Sequence, residues 1–161
     1  MNQIKNDLKK ISTTAPSPRV AFIAAQWHAN IVEKSYEGFE AEFERLGHNI
    51  NNIEAFSVPG AFDIPLQAKK LADSARFEAI VAAGFIVDGG IYRHEFVSSA
   101  VINGLMRVQL DTGTPVISCV LTPHQFQETE THIKFFTEHF VAKGQEAALA
   151  CAAIIENMRA I

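Results

Sequence analysis

The run Ala79 to Val87 (AIVAAGFIV) is apolar throughout and shows no alternation, the pattern of a strand covered by helices on both faces rather than open to water on one. Asp88-Gly89-Gly90 breaks it. Paired glycines permit positive φ and let a ligand approach the backbone, and the helical pattern that follows aims free N–H groups at the same spot. A buried strand feeding a glycine turn and a helix points to a layered α/β architecture, with an anion expected at the turn. Arg93, His94 and Glu95 open that helix and place a permanent cation and a titratable imidazole beside it.

The rest of the chain repeats this alternation. Arg19 to Ala25 is a compact apolar run and reads as the first strand, followed by Gln26-Trp27-His28 in a loop. Val32, Tyr36, Phe39, Phe43 and Leu46 recur at helical spacing, with Gly47 as a stop. A second strand fits between Asn49 and Val58 and ends at Pro59-Gly60. Ile64, Leu66, Ala68 and Leu71 predict a helix to about Ala75. After the glycine turn, Val97, Val101, Leu105 and Val108 share a helical face on which Ala100 and Gly104 allow close approach. Pro115 to Leu121 is a fourth strand. The segment from Gln125 to His139 predicts an irregular helix, Lys143-Gly144 punctuates the chain, and a final helix carries Ala147 to Met158. Residues 1–18 lack a sustained apolar period and read as a flexible N-terminal arm or a strand lent to a neighbour's sheet, leaving residues 19–161 as one domain. Right-handed crossovers then give a four-stranded parallel sheet with helices on both faces, whose ligands bind beyond the carboxyl ends of the strands. The loops 26–30, 57–63 and 88–94 should converge there.

Composition excludes several classes. A formal net charge of -4 leaves no basic stripe for nucleic acid, and no apolar run is long enough to span a bilayer. Cys119 and Cys151 fall in a predicted strand and a predicted helix without CxxC spacing, so both read as core residues of a cytoplasmic protein. His124, His132 and His139 are spaced by eight and seven, without the tighter spacing or thiolate and carboxylate company of a metal site, and no metal is expected. Hydrolase, dinucleotide and Walker motifs are absent. Trp27 at a strand exit could stack on a planar ring or pack against a helix. Asp63 could accept hydrogen bonds from hydroxyls or simply suit a helix start. Arg93 and His94 could bind phosphate and move protons or be solvated, and the glycines beside them favour function.

The stretch Val58 to Pro65 (VPGAFDIP), together with Gly84 through Val97, Val120-Leu121-Thr122 and Lys143-Gly144, resembles the 6,7-dimethyl-8-ribityllumazine synthase family. The likeness covers about Arg19 to Ile161. It implies a three-layer αβα, flavodoxin-like fold and a step of riboflavin synthesis: condensation of 5-amino-6-(D-ribitylamino)uracil with 3,4-dihydroxy-2-butanone 4-phosphate, releasing phosphate and water. In that chemistry an amine attacks a ketone to form a Schiff base, phosphate leaves, and the ring closes with loss of water. The resemblance implies no cofactor. Orientation of two substrates and proton transfer are what the protein supplies.

Carried over by position, Trp27 resembles the aromatic that stacks on the pyrimidine, and Gly60, Ala61, Phe62 and Asp63 the ribityl-binding segment. Ile86, Val87 and Asp88 correspond to the pyrimidine edge, and Gly89, Gly90 and Ile91 to the phosphate turn. The chain also departs from the pattern. Asp63 replaces the usual Glu. Arg93 stands where the family has its general acid/base histidine, and His94 comes next. Because arginine stays protonated, either His94 takes that role or Arg93 contributes electrostatically to a slower reaction. His132 stands at the phosphate arginine. Ser118 stands where an aromatic of the adjacent subunit packs, with Phe126 the candidate to replace it. The resemblance implies a homopentamer with sites between subunits, one chain supplying Trp27, Asp63 and His94 and its neighbour His132 and Lys143. These departures resemble a subgroup built as a decamer of two pentamers. Two functional readings follow, a working synthase and a lumazine- or riboflavin-binding paralogue with weak or lost catalysis. An unrelated flavodoxin-like module without affinity for ribityl pyrimidines is the third.

Overall fold

The computed structural model describes residues 15–161, so most of the expected N-terminal arm lies outside the described residues. Four strands alternate with four long helices: β1 (Val20–Ala25), α1 (Ala29–Arg45), β2 (Ile53–Val58), α2 (Ile64–Asp73), β3 (Ala79–Phe85), α3 (His94–Thr112), β4 (Val116–Leu121) and α4 (Glu130–Arg159). All pairings are parallel and the strand order is β2-β1-β3-β4. The expected fold class, a three-layer αβα domain on a four-stranded parallel sheet, is what forms.

Every residue of β3 is buried, and the reason is visible in how its side chains divide. Ala79, Val81, Ala83 and Phe85 join a core with Phe22 of β1, Val32, Phe39 and Phe43 of α1, and Phe140 and Ala148 of α4. Ile80 and Ala82 point the other way, into a core with Ile64 and Ala68 of α2 and Val101 and Leu105 of α3. Alternation is present in space, but both faces are dry, so it leaves no polar mark in the sequence. Small residues set the layer spacing. A Cβ on Gly104 of α3 would stand 2.9 Å from the Pro65 ring of α2, which fits the close approach expected at that position.

One sequence expectation is corrected. Lys143-Gly144 does not separate two helices; α4 runs unbroken for 30 residues from Glu130. Its start is defined by Thr129, whose side chain accepts a hydrogen bond from the His132 N–H. Gly144 is there because a Cβ would collide with the Ser35 carbonyl of α1, and Gly38 of α1 is in the same position against the Val141 carbonyl of α4. The two helices pack backbone to backbone across this glycine pair. The smaller differences are boundaries: β3 ends at Phe85 rather than Val87, and a single 3-10 turn (Ile50–Asn52) precedes β2, its start capped by the Asn49 side chain. At the amino end of the domain, Ser17 accepts from the Asn49 N–H (2.8 Å) and from the Asn52 side chain through its carbonyl (2.8 Å).

Candidate functional site

The strand order reverses between β1 and β3, since β1 leads to β2 on one side and the chain then crosses to the other. The crevice of an open parallel sheet lies at that point, beyond the carboxyl ends. Trp27 leaves β1 there with its side chain 70% exposed, which removes the helix-packing alternative. Gly60 leaves β2 alongside: a Cβ at Gly60 would stand 3.9 Å from the Trp27 indole, so the glycine keeps the approach to the ring open. Asp63 turns back to accept the Gly60 N–H through Oδ2 (2.9 Å), fixing the loop and leaving Oδ1 free to receive a hydroxyl. The segment rests on β3 because Gly84 has no side chain; a Cβ there would come within 3.2 Å of Ile64 and 3.4 Å of Ala61.

The glycine turn differs from a bare anion cradle. Gly90 has φ +75°, the left-handed conformation that the doublet predicted. Its N–H, however, donates to Asp88 Oδ1 (3.1 Å), so one backbone donor is occupied and a carboxylate stands beside the turn. Helix α3 begins only at His94, beyond Ile91, Tyr92 and Arg93, all of them exposed. Arg93 lays its guanidinium over the Phe96 ring at 4.5 Å and lies 3.9 Å from Glu95 Oε1.

His94 is the buried member of this group, with 8% of its surface exposed. Its Nδ1 is closed off from solvent and has no hydrogen-bond partner among the described residues; Glu95 Oε2 stands 3.5 Å away. The His94 ring meets that of His124, beyond β4, edge to face at 5.8 Å. Both imidazoles line a cleft of ≈ 360 Å³ together with Glu95, Ser98, Asn103 and Thr122. Sequence spacing relates His124 to His132 and His139, and nothing beyond its place at a strand exit signals its meeting with His94. His28, in the loop after β1, opens α1 in the left-handed conformation (φ 56°) and sets its ring edge to face with Phe85 and Phe126.

The remaining candidates divide. Phe126 is buried against Phe85 and Phe136 in its own chain's core. His132 lies beside it, ring centroids 6.1 Å apart, and its Nδ1 accepts the Gln127 N–H (3.1 Å). That bond requires a neutral imidazole carrying its proton on Nε2, which is thereby a donor. Ser118 sits mid-strand on β4, the sheet edge, paired with Ala82 and so ~10 Å short of the strand's carboxyl end. Lys143 lies across β4 on α4, its carbonyl facing the Cys119 thiol and its Nζ paired with Glu146. Neither hydrogen-bonds to Trp27, Gly60 or Asp63 of the same chain among the described residues. Among the described residues no three His, Cys, Asp or Glu side chains are gathered as metal ligands would be. Burial pushes the Cys119 and Cys151 thiols up to about 12, which keeps them unreactive core residues. Among the described residues no helix is long and apolar enough to cross a membrane.

These features define a three-layer α/β domain with an exposed tryptophan and a glycine-bearing loop at the switch point of its parallel sheet, and a separate cleft lined by two histidines. The model of the 6,7-dimethyl-8-ribityllumazine synthase family matches residues 17–159. A Rhodococcus erythropolis protein of that name is 54% identical over 89% of this chain and 92% of its own length. A Pseudomonas syringae pv. tomato protein named 6,7-dimethyl-8-ribityllumazine synthase 2 is 51% identical over 93% and 88%, and a Bradyrhizobium diazoefficiens protein of the same name 54% identical over 86% and 82%. The chain belongs to the 6,7-dimethyl-8-ribityllumazine synthase family.

Proposed function

We propose that this chain condenses 5-amino-6-(D-ribitylamino)uracil with 3,4-dihydroxy-2-butanone 4-phosphate to 6,7-dimethyl-8-ribityllumazine, within riboflavin biosynthesis. The observation that carries the reading is the meeting of the exposed Trp27 ring with Gly60 and Asp63 at the sheet switch point, in a chain whose relatives bear the synthase name. The relatives' names favour the synthase over a binding paralogue. In this reading Trp27 stacks on the pyrimidine, Asp63 and the Gly60–Phe62 backbone hold the ribityl chain, and Ile86 and Val87 border the ring. Gly89, Gly90 and Ile91 approach the phosphate, with the Gly89 and Ile91 N–H groups as the donors because that of Gly90 is held by Asp88. His94 moves protons, the role Arg93 cannot fill because it stays protonated.

The domain of residues 19–161 carries this activity in the cytoplasm, as a homopentamer or a decamer of two pentamers. Supporting the assembly, α3 and α2 expose Phe96, Met106, Leu110 and Leu66 to solvent, large apolar side chains that a neighbour would cover. Ser118, His132 and Lys143 then serve the neighbour's crevice. Lumazine formation from the two substrates, followed by product absorbance, tests the reading. Wild type is expected to turn over and His94→Ala to lose about a hundredfold, the scale of one general acid/base. Absence of product from the wild type overturns the assignment, and full activity in a monomer overturns the shared site.

A further inference from the structure

His94 carries an unexplained feature. A buried polar nitrogen is normally hydrogen-bonded, yet Nδ1 has no partner among the described residues, in a residue only 8% exposed. The hydroxyl nearest in sequence does not serve it: Ser98 Oγ donates to the His94 carbonyl (2.7 Å) and lies 3.2 Å from that of Glu95. The acceptor that faces Nδ1 is Glu95 Oε2 at 3.5 Å, about 0.3 Å beyond the usual range of a hydrogen bond. The other oxygen of the same carboxylate faces the Arg93 guanidinium at 3.9 Å, and that guanidinium is itself seated on Phe96 at 4.5 Å. The charged and titratable groups facing His94 are therefore Glu95, Arg93 behind it, and His124 from the β4 exit, edge to face at 5.8 Å.

From this alignment we infer that Glu95 is the positioning residue of His94: Arg93 anchors its carboxylate, the carboxylate takes the Nδ1 proton as a hydrogen bond, and Nε2 is left with its lone pair toward the substrate. The inference rests on the proton-transfer role proposed for His94 and adds the residue that makes it a base. An imidazole orients one nitrogen for chemistry by what holds the other, and a carboxylate also stabilises the imidazolium once the proton arrives. The arrangement gives Arg93 a function that its fixed charge allows. It does not replace the missing histidine; it holds the carboxylate that directs the next one. The 3.5 Å separation closes by a small side-chain rotation of Glu95, which is half exposed and free to make it.

The test uses the full chain with ¹⁵N-labelled histidine. In wild type, His94 is expected to show a protonated, pyrrole-type Nδ1 and an unprotonated, pyridine-type Nε2. Glu95→Ala should move it toward the opposite tautomer and lower kcat about tenfold with KM for both substrates unchanged, the scale of losing an orienting partner. Glu95→Gln, which keeps an acceptor, should retain the wild-type nitrogen pattern, and Arg93→Ala should shift it partway. An unchanged His94 pattern in Glu95→Ala, or unchanged kcat, overturns the inference. If wild type forms no lumazine, the enzymatic reading fails, while the nitrogen pattern still decides whether Glu95 holds Nδ1.

Discussion

The backbone N–H of Gln127 donates to Nδ1 of His132 at 3.1 Å, in the last turn before α4. A second bond, from the His132 N–H to Thr129 Oγ1 at 3.3 Å, ties the same residue to the helix start. Under the proposed function this residue stands where the resemblance implies an arginine, and with Nδ1 occupied its Nε2 is the nitrogen left to donate. It offers a phosphate one directed hydrogen bond where arginine offers a forked cation. His132→Ala is accordingly expected to raise KM for the butanone phosphate about tenfold, the scale of one hydrogen bond to a charged group, and to change kcat little. His132→Arg should lower that KM. Steady-state kinetics in the phosphate substrate check both, and a KM unmoved by His132→Ala removes His132 from the phosphate site.

Gly38 and Gly144 let α1 and α4 meet with no side chain between their backbones. Gly144→Ala gains helix propensity but places a methyl group against the Ser35 carbonyl and the Phe39 N–H, which have no room to move within a helix. The clash is expected to dominate, costing about 3 kcal/mol and lowering the thermal midpoint by about 5–10 °C. Denaturation of Gly144→Ala beside Gly47→Ala separates packing from backbone strain: Gly144 is helical and crowded, whereas Gly47 has a left-handed φ (86°) with nothing near its would-be Cβ.

What could be read in the sequence, and what could not, follows from where each residue's reason lies. The Ala79 to Val87 run announced a two-faced buried strand because both of its neighbours are apolar layers, a property composition carries directly. Trp27 and VPGAFDIP were placed correctly at strand exits, since proline and glycine punctuate locally. Gly144 misled because glycine's usual local meaning is a break, whereas its reason here is the Ser35 carbonyl on a distant helix. The same holds for His94 and His124, which meet only because β3 and β4 are adjacent in the sheet. Asp88 read as part of a glycine turn; only the fold shows its carboxylate taking the Gly90 N–H.

Trp27 is the single tryptophan, and it is exposed beside Gly60. If its indole stacks on the pyrimidine, binding of the ribitylaminouracil should quench the intrinsic fluorescence, giving a direct titration. Trp27→Ala should weaken that substrate about tenfold and Trp27→Phe much less, since stacking beyond burial is worth about 0.5–1.5 kcal/mol. Competition binding with a fluorescent ribityl pyrimidine reads the variants, which lack the native signal. Equal affinity in wild type and Trp27→Ala would take the ring out of the site.

His48 provides the pH dependence of the fold itself. Burial, with a smaller contribution from the Arg159 cation, holds its pKa below the ordinary value of 6.5, and its Nε2 is enclosed with no partner among the described residues. The ring packs on Phe43 at 4.5 Å as a neutral group. Because the folded chain resists a proton that the unfolded chain accepts, the unfolded state binds more protons between the lowered value and 6.5. The stability attached to His48 is therefore complete above that window and lost as pH falls through it. Thermal midpoints measured from pH 8 downward should begin to decline near 6.5 in wild type. His48→Phe, which keeps an aromatic ring against Phe43 and removes the titration, should flatten that part of the curve. A slope in His48→Phe equal to wild type would assign the transition to another group.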